Sequence, residues 1–218
     1  MDLVLFGAGD FAEIAAYYFE RDSQYTVKAF TVDAAHLKEP TLGGKPVIPF
    51  EEITAHYPVE TTKIFVALGF SKLNKLRADK FFAAKAKGYS LASYCSSRIS
   101  ALEPLELQEN TFIFEDNTIQ PFVKIGANVI VWSGNHIGHH ASIGDHCFVT
   151  SHVCIAGRAS IGEYCFLGIN ATIRDNITIG SRSIIGAGAL IMADAEEESV
   201  FSVKGDAPRS IKSRDVSF

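Results

Sequence analysis

Five of the seven histidines in this chain, His136, His139, His140, His146 and His152, fall between positions 136 and 152. An imidazole is the side chain best matched to proton transfer near neutral pH, and it is also a common ligand for transition metals. The cluster therefore offers two kinds of chemistry: a general base working beside a hydrogen-bond donor, or a metal centre. Which is open depends on where each ring points, and hence on the element that carries it.

That element announces itself by a period of six. From Ile113 through Ile119, Ile125 and Val131 to Ile191, every sixth residue is aliphatic without exception. Gly follows the aliphatic residue at 126, 138, 144, 162, 168, 180 and 186, and small residues precede it by two, as at Ala141, Cys147, Ala159, Cys165 and Ala171. A period of six fits neither an amphipathic helix nor an alternating strand, and it marks a hexapeptide β-helix in which each hexad forms one side of a triangular coil. The aliphatic residue points inward and stacks on its equivalent 18 residues away, the small residue shares the interior, and the glycines are expected to relax the backbone near the corners.

Within this register no histidine occupies an interior slot, so all five are expected to project outward. His139 lies near a corner, and the residue 18 further on is Gly157. An imidazole beside an accessible backbone N–H suits acyl transfer, pairing a base with an oxyanion donor. His140, His146 and His152 repeat every six residues, fall on three different sides, and cannot ligate one ion within a subunit. Ile137-Gly138-His139 begins the Ile-Gly-His-x-x-x-x-His arrangement of the zinc-binding β-helix carbonic anhydrases, but the partner position is Gly144. No metal is expected. Cys147 and Cys165, one coil apart at the small interior position, read as core filler, Cys154 as an outward residue, and the four thiols as free.

The first 95 residues carry a different order. Leu3–Phe6 reads as a strand ending in Gly7-Ala8-Gly9-Asp10, followed by a helix with Phe11, Ile14, Ala15, Tyr18 and Phe19 on one face. Tyr25–Val32 is a second strand closing at Asp33, Phe50–His56 a short helix, Ile64–Leu68 a third strand ending at Gly69, and Leu73–Ala86 another helix. This alternation predicts a small, parallel, Rossmann-like α/β domain over 1–95 and an all-β coil with its C-terminal tail over 96–218. Gly7-x-Gly9-x-x-Ala12 is a weak dinucleotide fingerprint. Asp10, placed to cap the helix N-terminus, would repel a pyrophosphate there, so the expectation is a nucleotide portion bound at the strand ends, with Asp33 accepting from base or ribose. The acidic run Asp194–Glu198 reads as a solvated exit loop, and Val200–Val203 as a last strand.

At 218 residues, 47 % hydrophobic and with a net charge of −5, the chain can build two modest cores and lacks the basic stripe of a nucleic-acid binder. It shows neither a basic, apolar leader nor an apolar run long enough to span a bilayer, so cytoplasmic residence without membrane insertion is expected.

Taken together, the chain resembles the left-handed β-helix sugar acyltransferases of the sialic-acid O-acetyltransferase and bacillosamine or perosamine N-acetyltransferase type. The likeness is strongest over 134–188, including Cys165-Phe166-Leu167-Gly168-Ile169-Asn170 and Ile185-Gly186-Ala187-Gly188-Ala189, and the tail Val203-Lys204-Gly205-Asp206-Ala207-Pro208-Arg209 is similar to the family's closing motif with the proline shifted. The resemblance implies a cytoplasmic homotrimer of bacterial surface-polysaccharide biosynthesis, with acetyl-CoA in a groove between prisms and a nucleotide-linked amino sugar on the N-terminal domain. It implies His139 as base and Gly157 as the oxyanion donor. Gly168, Ile169, Gly186 and Ala187, with Gly157, would contact the pantetheine arm, and Lys204 and Arg209 the CoA phosphates. Gly7, Gly9, Asp10, Asp33 and Gly69 would lie on the sugar-nucleotide side.

Three positions depart from the family. His140 stands where Glu or Asp often follows the base, Phe148 where a second histidine commonly sits, and Gly7-Ala8-Gly9-Asp10-Phe11 where Gly-x-x-Gly-His is usual. His136 or His140 are thus alternative carriers of the base role. The expected activity is N-acetylation of the amino sugar. O-acetylation of a sugar hydroxyl is the alternative enzyme, and a non-catalytic or metal-binding trimeric coil, which would bind zinc but not CoA, the alternative outside enzymes.

Overall fold

The computed structural model describes residues 1–205. Its first part is an α/β unit: β1 (Asp2–Phe6), α1 (Asp10–Arg21), β2 (Thr26–Val32), β3 (Thr41–Leu42), β4 (Lys45–Pro49), α2 (Ile53–His56), β5 (Thr62–Val66) and α3 (Lys75–Ala86). The sheet runs β3-β4-β2-β1-β5 and is parallel throughout except for the β3–β4 hairpin. The apolar strands are covered on both sides, as a parallel sheet requires. The helix expected at 50–56 divides into a 3-10 turn, Phe50–Glu52, and α2.

From Tyr94–Cys95 onward two-residue strands recur every six residues and stack as parallel ladders into three flat faces. One face has seven strands (Tyr94–Cys95, then Phe112–Ile113 through to Val200–Phe201), one has six (Ser100–Ala101 through Leu190–Ile191) and one has four (Lys124–Ile125 through Thr178–Ile179). Partners are 18 residues apart, as in His136 with Cys154 and Ile137 with Ile155, except at the last rung, where Ile184 pairs with Val200. The aliphatic series and the small residues Ala141, Cys147, Ala159, Cys165 and Ala171 make one continuous interior. Residues 102–109 form a strandless excursion, so Leu107, although in register, only packs against the core from outside. The acidic segment is less free than expected: Thr178 N–H donates to Asp194, Ala195 bridges to Ile179, and Arg182 pairs with Glu197 and Glu198.

The corners correct one expectation. Positive φ falls not on the recurring glycines but two residues later, on Asn128, His140, His146, Tyr164 and Asn170, and at the equivalent corner positions His152 and Arg158, which follow Thr150 and Ala156. Those glycines are there for clearance: a Cβ on Gly138 would lie 2.5 Å from the Gly157 nitrogen, and one on Gly168 at 2.5 Å from that of Ala187. His140, His146 and His152 thus occupy the left-handed corner positions that Asn and His tolerate better than most residues.

The α/β unit covers the seven-stranded face. Phe11, Tyr18 and Phe19 of α1 pack on Phe112, Phe114 and Trp132. The deeper tie is polar. Arg77 of α3 is wholly buried and donates to the carbonyls of Gly69, Asn128, His146 and Cys147 and to Asn74 Oδ1, at 2.8–3.3 Å. Burial pulls its pKa down to about 9, still charged at neutral pH. Asn74 in turn donates to the carbonyls of Tyr164 and Cys165. These bonds hold Lys72, Leu73 and Asn74 at φ of 52°, 50° and 65°, which is why α3 begins at Lys75 rather than Leu73. Alongside runs a ladder from Val66 N–H to Asn110 Oδ1, from Asn110 Nδ2 to Asn128 Oδ1, and from Asn128 Nδ2 to His146 Nδ1. His146 leaves the prism as expected but is buried, 5 % exposed, beneath Phe81 and Phe82 of α3. Burial therefore lowers its pKa.

Arg77→Ala would strand several buried carbonyls, each worth about 1–3 kcal/mol when left unsatisfied. It is predicted to cost about 3 kcal/mol or more in urea unfolding. Arg77→Lys is expected to recover less than half of that, because a point charge cannot span the same acceptors.

Candidate active site at a coil corner

The corner built by Gly138, His139 and His140 joins the six-stranded to the four-stranded face. His139 N–H donates to Gln120 Oε1 at 2.8 Å, and the His139 carbonyl accepts from Arg158 N–H at 2.9 Å. The imidazole lies on Gly157, so closely that a Cβ there would sit 2.8 Å from Nε2. Among the described residues nothing accepts from the Gly157 N–H. His139 Nδ1 is 3.2 Å from His140 Nδ1 with the rings at 88°, and the His140 ring rests on Phe122 at 4.7 Å. His140 is exposed, yet desolvation by its neighbours lowers its pKa, and Arg158 and His139 add to the effect. His136 is exposed on the six-stranded face, in register with Cys154 and away from this corner. The structure thus brings together His139, His140 and Gly157: two imidazoles within hydrogen-bond distance of each other, one of them lying on a glycine whose N–H has no acceptor among the described residues.

Gly168, Ile169, Gly186 and Ala187, the other residues expected at the pantetheine arm, lie at a different corner, between the seven- and six-stranded faces. Gly168 and Gly186 spend their N–H groups on the ladder, donating to Ile185 and Phe201 carbonyls at 2.7 Å. The N–H groups of Ile169 and Ala187 have no acceptor among the described residues, so these two are the donors a pantetheine arm would find. Lys204 is exposed, and Arg209 lies outside the described residues.

Gly7, Gly9, Asp10, Asp33 and Gly69 follow the C-terminal ends of β1, β2 and β5, which are neighbours in the sheet, so all sit at one edge. Gly7 has φ of 131°, and a Cβ there would reach 2.7 Å from the Ala67 carbonyl. Two expectations change. The N-cap of α1 is Gly9, with no side-chain cap bond, and Asp10 is the exposed first residue of the helix rather than its cap. Asp33 is not a free acceptor, since Oδ1 takes a hydrogen bond from Lys80 Nζ at 2.6 Å. Gln120, Phe122 and Lys80 went unpredicted. The first two were within reach of the 18-residue register, whereas Lys80 on a helix carries no sequence signal. A cleft of about 490 Å³ lies beneath the 102–109 excursion, lined by Leu105, Val123, Ile143 and Asp145, and contains none of these residues. Among the described residues no three metal-ligating side chains converge.

The family described as "Bacterial transferase hexapeptide (six repeats)" matches residues 122–157 and 158–193. A variant of perosamine N-acetyltransferase from Caulobacter crescentus, solved with CoA and GDP-perosamine, superposes with a TM-score of 0.82 at 25 % identity, covering 94 % of this chain and 98 % of that one. The repeat and the near full-length likeness together mark the chain as an acyltransferase built on the hexapeptide-repeat fold. WeeI from Acinetobacter baumannii AYE shares the fold of this acyltransferase at a TM-score of 0.78 and 19 % identity, with 92 % and 96 % coverage. The acetyltransferase domain of PglB from Neisseria gonorrhoeae FA1090, solved with acetyl coenzyme A, does so at 0.59 and 21 %, with 90 % and 93 % coverage. No curated protein matches by sequence. No helix among the described residues is long and apolar enough to cross a membrane.

Gly157→Ala would push the His139 ring aside at little cost to the fold, because the neighbour is a side chain. The variant is predicted to melt within a few degrees of the wild-type acyltransferase while losing at least about tenfold in kcat.

Proposed function

We propose that the protein transfers an acetyl group from acetyl-CoA to the amino group of a nucleotide-linked deoxysugar, a step in building a bacterial surface glycan. The near full-length likeness to the Caulobacter enzyme, whose structure holds CoA and GDP-perosamine, carries this reading. The chemistry follows from the corner. The amine attacks the thioester carbonyl, His139 Nε2 takes the amine proton, and the Gly157 N–H receives the negative charge forming on the carbonyl oxygen. Collapse makes the amide and expels the CoA thiolate, which recovers a proton from the imidazolium. Ile169 and Ala187 would hold the pantetheine arm with their N–H groups, beside Gly168 and Gly186, and Lys204 and Arg209 the CoA phosphates.

Residues 1–95, in this reading, are a Rossmann-like nucleotide-sugar domain using the edge formed by Gly7, Gly9, Asp10, Asp33 and Gly69, and 96–218 are the acyltransferase domain. A homotrimer is the assembly that suits this division. The α/β unit covers the seven-stranded face, whereas His139 sits at the one corner that does not border that face. The base of one copy is therefore best served by the sugar domain and the Ile169–Ala187 corner of another.

His139→Ala is predicted to lower kcat about 10²–10⁴-fold with CoA affinity by calorimetry retained. The assay would screen nucleotide-linked amino sugars with acetyl-CoA and a thiol-detecting reagent. Wild-type kcat in this variant would overturn the assignment.

A further inference from the structure

We propose that His140, as a neutral imidazole, is the positioning residue that sets the tautomer of His139, accepting at Nδ1 the hydrogen of His139 Nδ1 and leaving the lone pair on His139 Nε2. This rests on the reading of His139 as the base. Two Nδ1 atoms 3.2 Å apart are a hydrogen-bond distance, so one of them carries a hydrogen and the other receives it. The bond one ring nitrogen makes decides the state of the other. His139 presents Nε2 to Gly157, where the reaction would occur, and only the Nδ1–H tautomer has a basic nitrogen on that side. An isolated imidazole prefers its hydrogen on Nε2, which would disable the base.

The structure holds His140 for this task. It sits at a corner with φ of 61°, its N–H donates to the Pro121 carbonyl at 3.2 Å, and its ring lies on Phe122. The charged and titratable groups around it are Arg158 and His139, and both disfavour a second positive charge. Protonation of His140 would turn its Nδ1 from acceptor to donor and force the hydrogen of His139 onto Nε2. A single added proton, on either ring, therefore silences the base, and the acid limb of kcat/KM belongs to the pair.

The test combines nitrogen-15 histidine NMR of the full chain with acetyl-transfer assays on His140→Gln and His140→Leu. Glutamine can still accept at that position without titrating, and leucine can do neither. Above the acid limb, wild-type His139 is expected as the Nδ1–H tautomer. His140→Leu should convert it to Nε2–H and lower kcat at least tenfold. His140→Gln should restore both the tautomer and most of kcat, with an altered acid limb. An Nε2–H tautomer in the wild type, or an unchanged tautomer in His140→Leu, would overturn the proposal. Full kcat in both His140→Leu and His139→Ala would instead bring down the base assignment, since the tautomers are read without turnover.

Discussion

Successive turns of the coil stack at strand spacing, about 4.8 Å, and that clearance governs the rest of the molecule. Residue 138 faces the nitrogen of 157, 162 that of 181, and 168 that of 187, each close enough that a Cβ would come within 2.5 Å. Glycine recurs at these positions because the backbone above needs the room. The same closeness lays the His139 ring on Gly157, where any side chain would collide with it. One geometric rule therefore both packs the coil and lays an imidazole on a glycine whose N–H has no acceptor among the described residues.

The aliphatic column gives the second half of the chain a core of its own, but the reaction proposed for it needs both halves. Apolar contact alone would let the α/β unit slide on a flat face. Arg77, Asn74 and the Asn110–Asn128–His146 ladder pin it to particular carbonyls and corners. A guanidinium buried among neutral acceptors is costly to desolvate, and it is retained here with all but one of its donor bonds directed at backbone oxygens, the other going to Asn74 Oδ1. The edge carrying Gly7, Asp33 and Gly69 is thereby held in a set orientation to the coil, on the side away from His139.

Much of this was legible in the residues. The aliphatic period gave the inward direction of each hexad, the pairing of 139 with 157, and Cys147 and Cys165 as interior filler. What escaped was whatever depended on atoms outside the repeat. The glycines were read as conformational joints, because sequence shows residue type but not the clearance above it. Three of the five clustered histidines are left-handed corner residues, and the outward direction of His146 does not reveal its burial, because no pattern shows which corner a helix will cover. Arg77 and Lys80 look like ordinary solvated residues of a charged helix, and only the fold shows the carbonyls around one and Asp33 beside the other. Asp10 fell one position inside the helix that it was expected to cap, an offset of the size by which helix ends usually elude sequence patterns.

The proposed reaction requires the acyl group to change hands at the corner of His139 and Gly157. A crystal structure of the full chain with CoA tests this most directly. The thiol sulfur should lie at that corner, beside His139 Nε2 and within hydrogen-bonding reach of where the Gly157 N–H points, with the pantetheine arm on Ile169 and Ala187 of an adjoining copy. A sulfur at any other corner, or a pantetheine arm confined to a single prism away from His139, would contradict it.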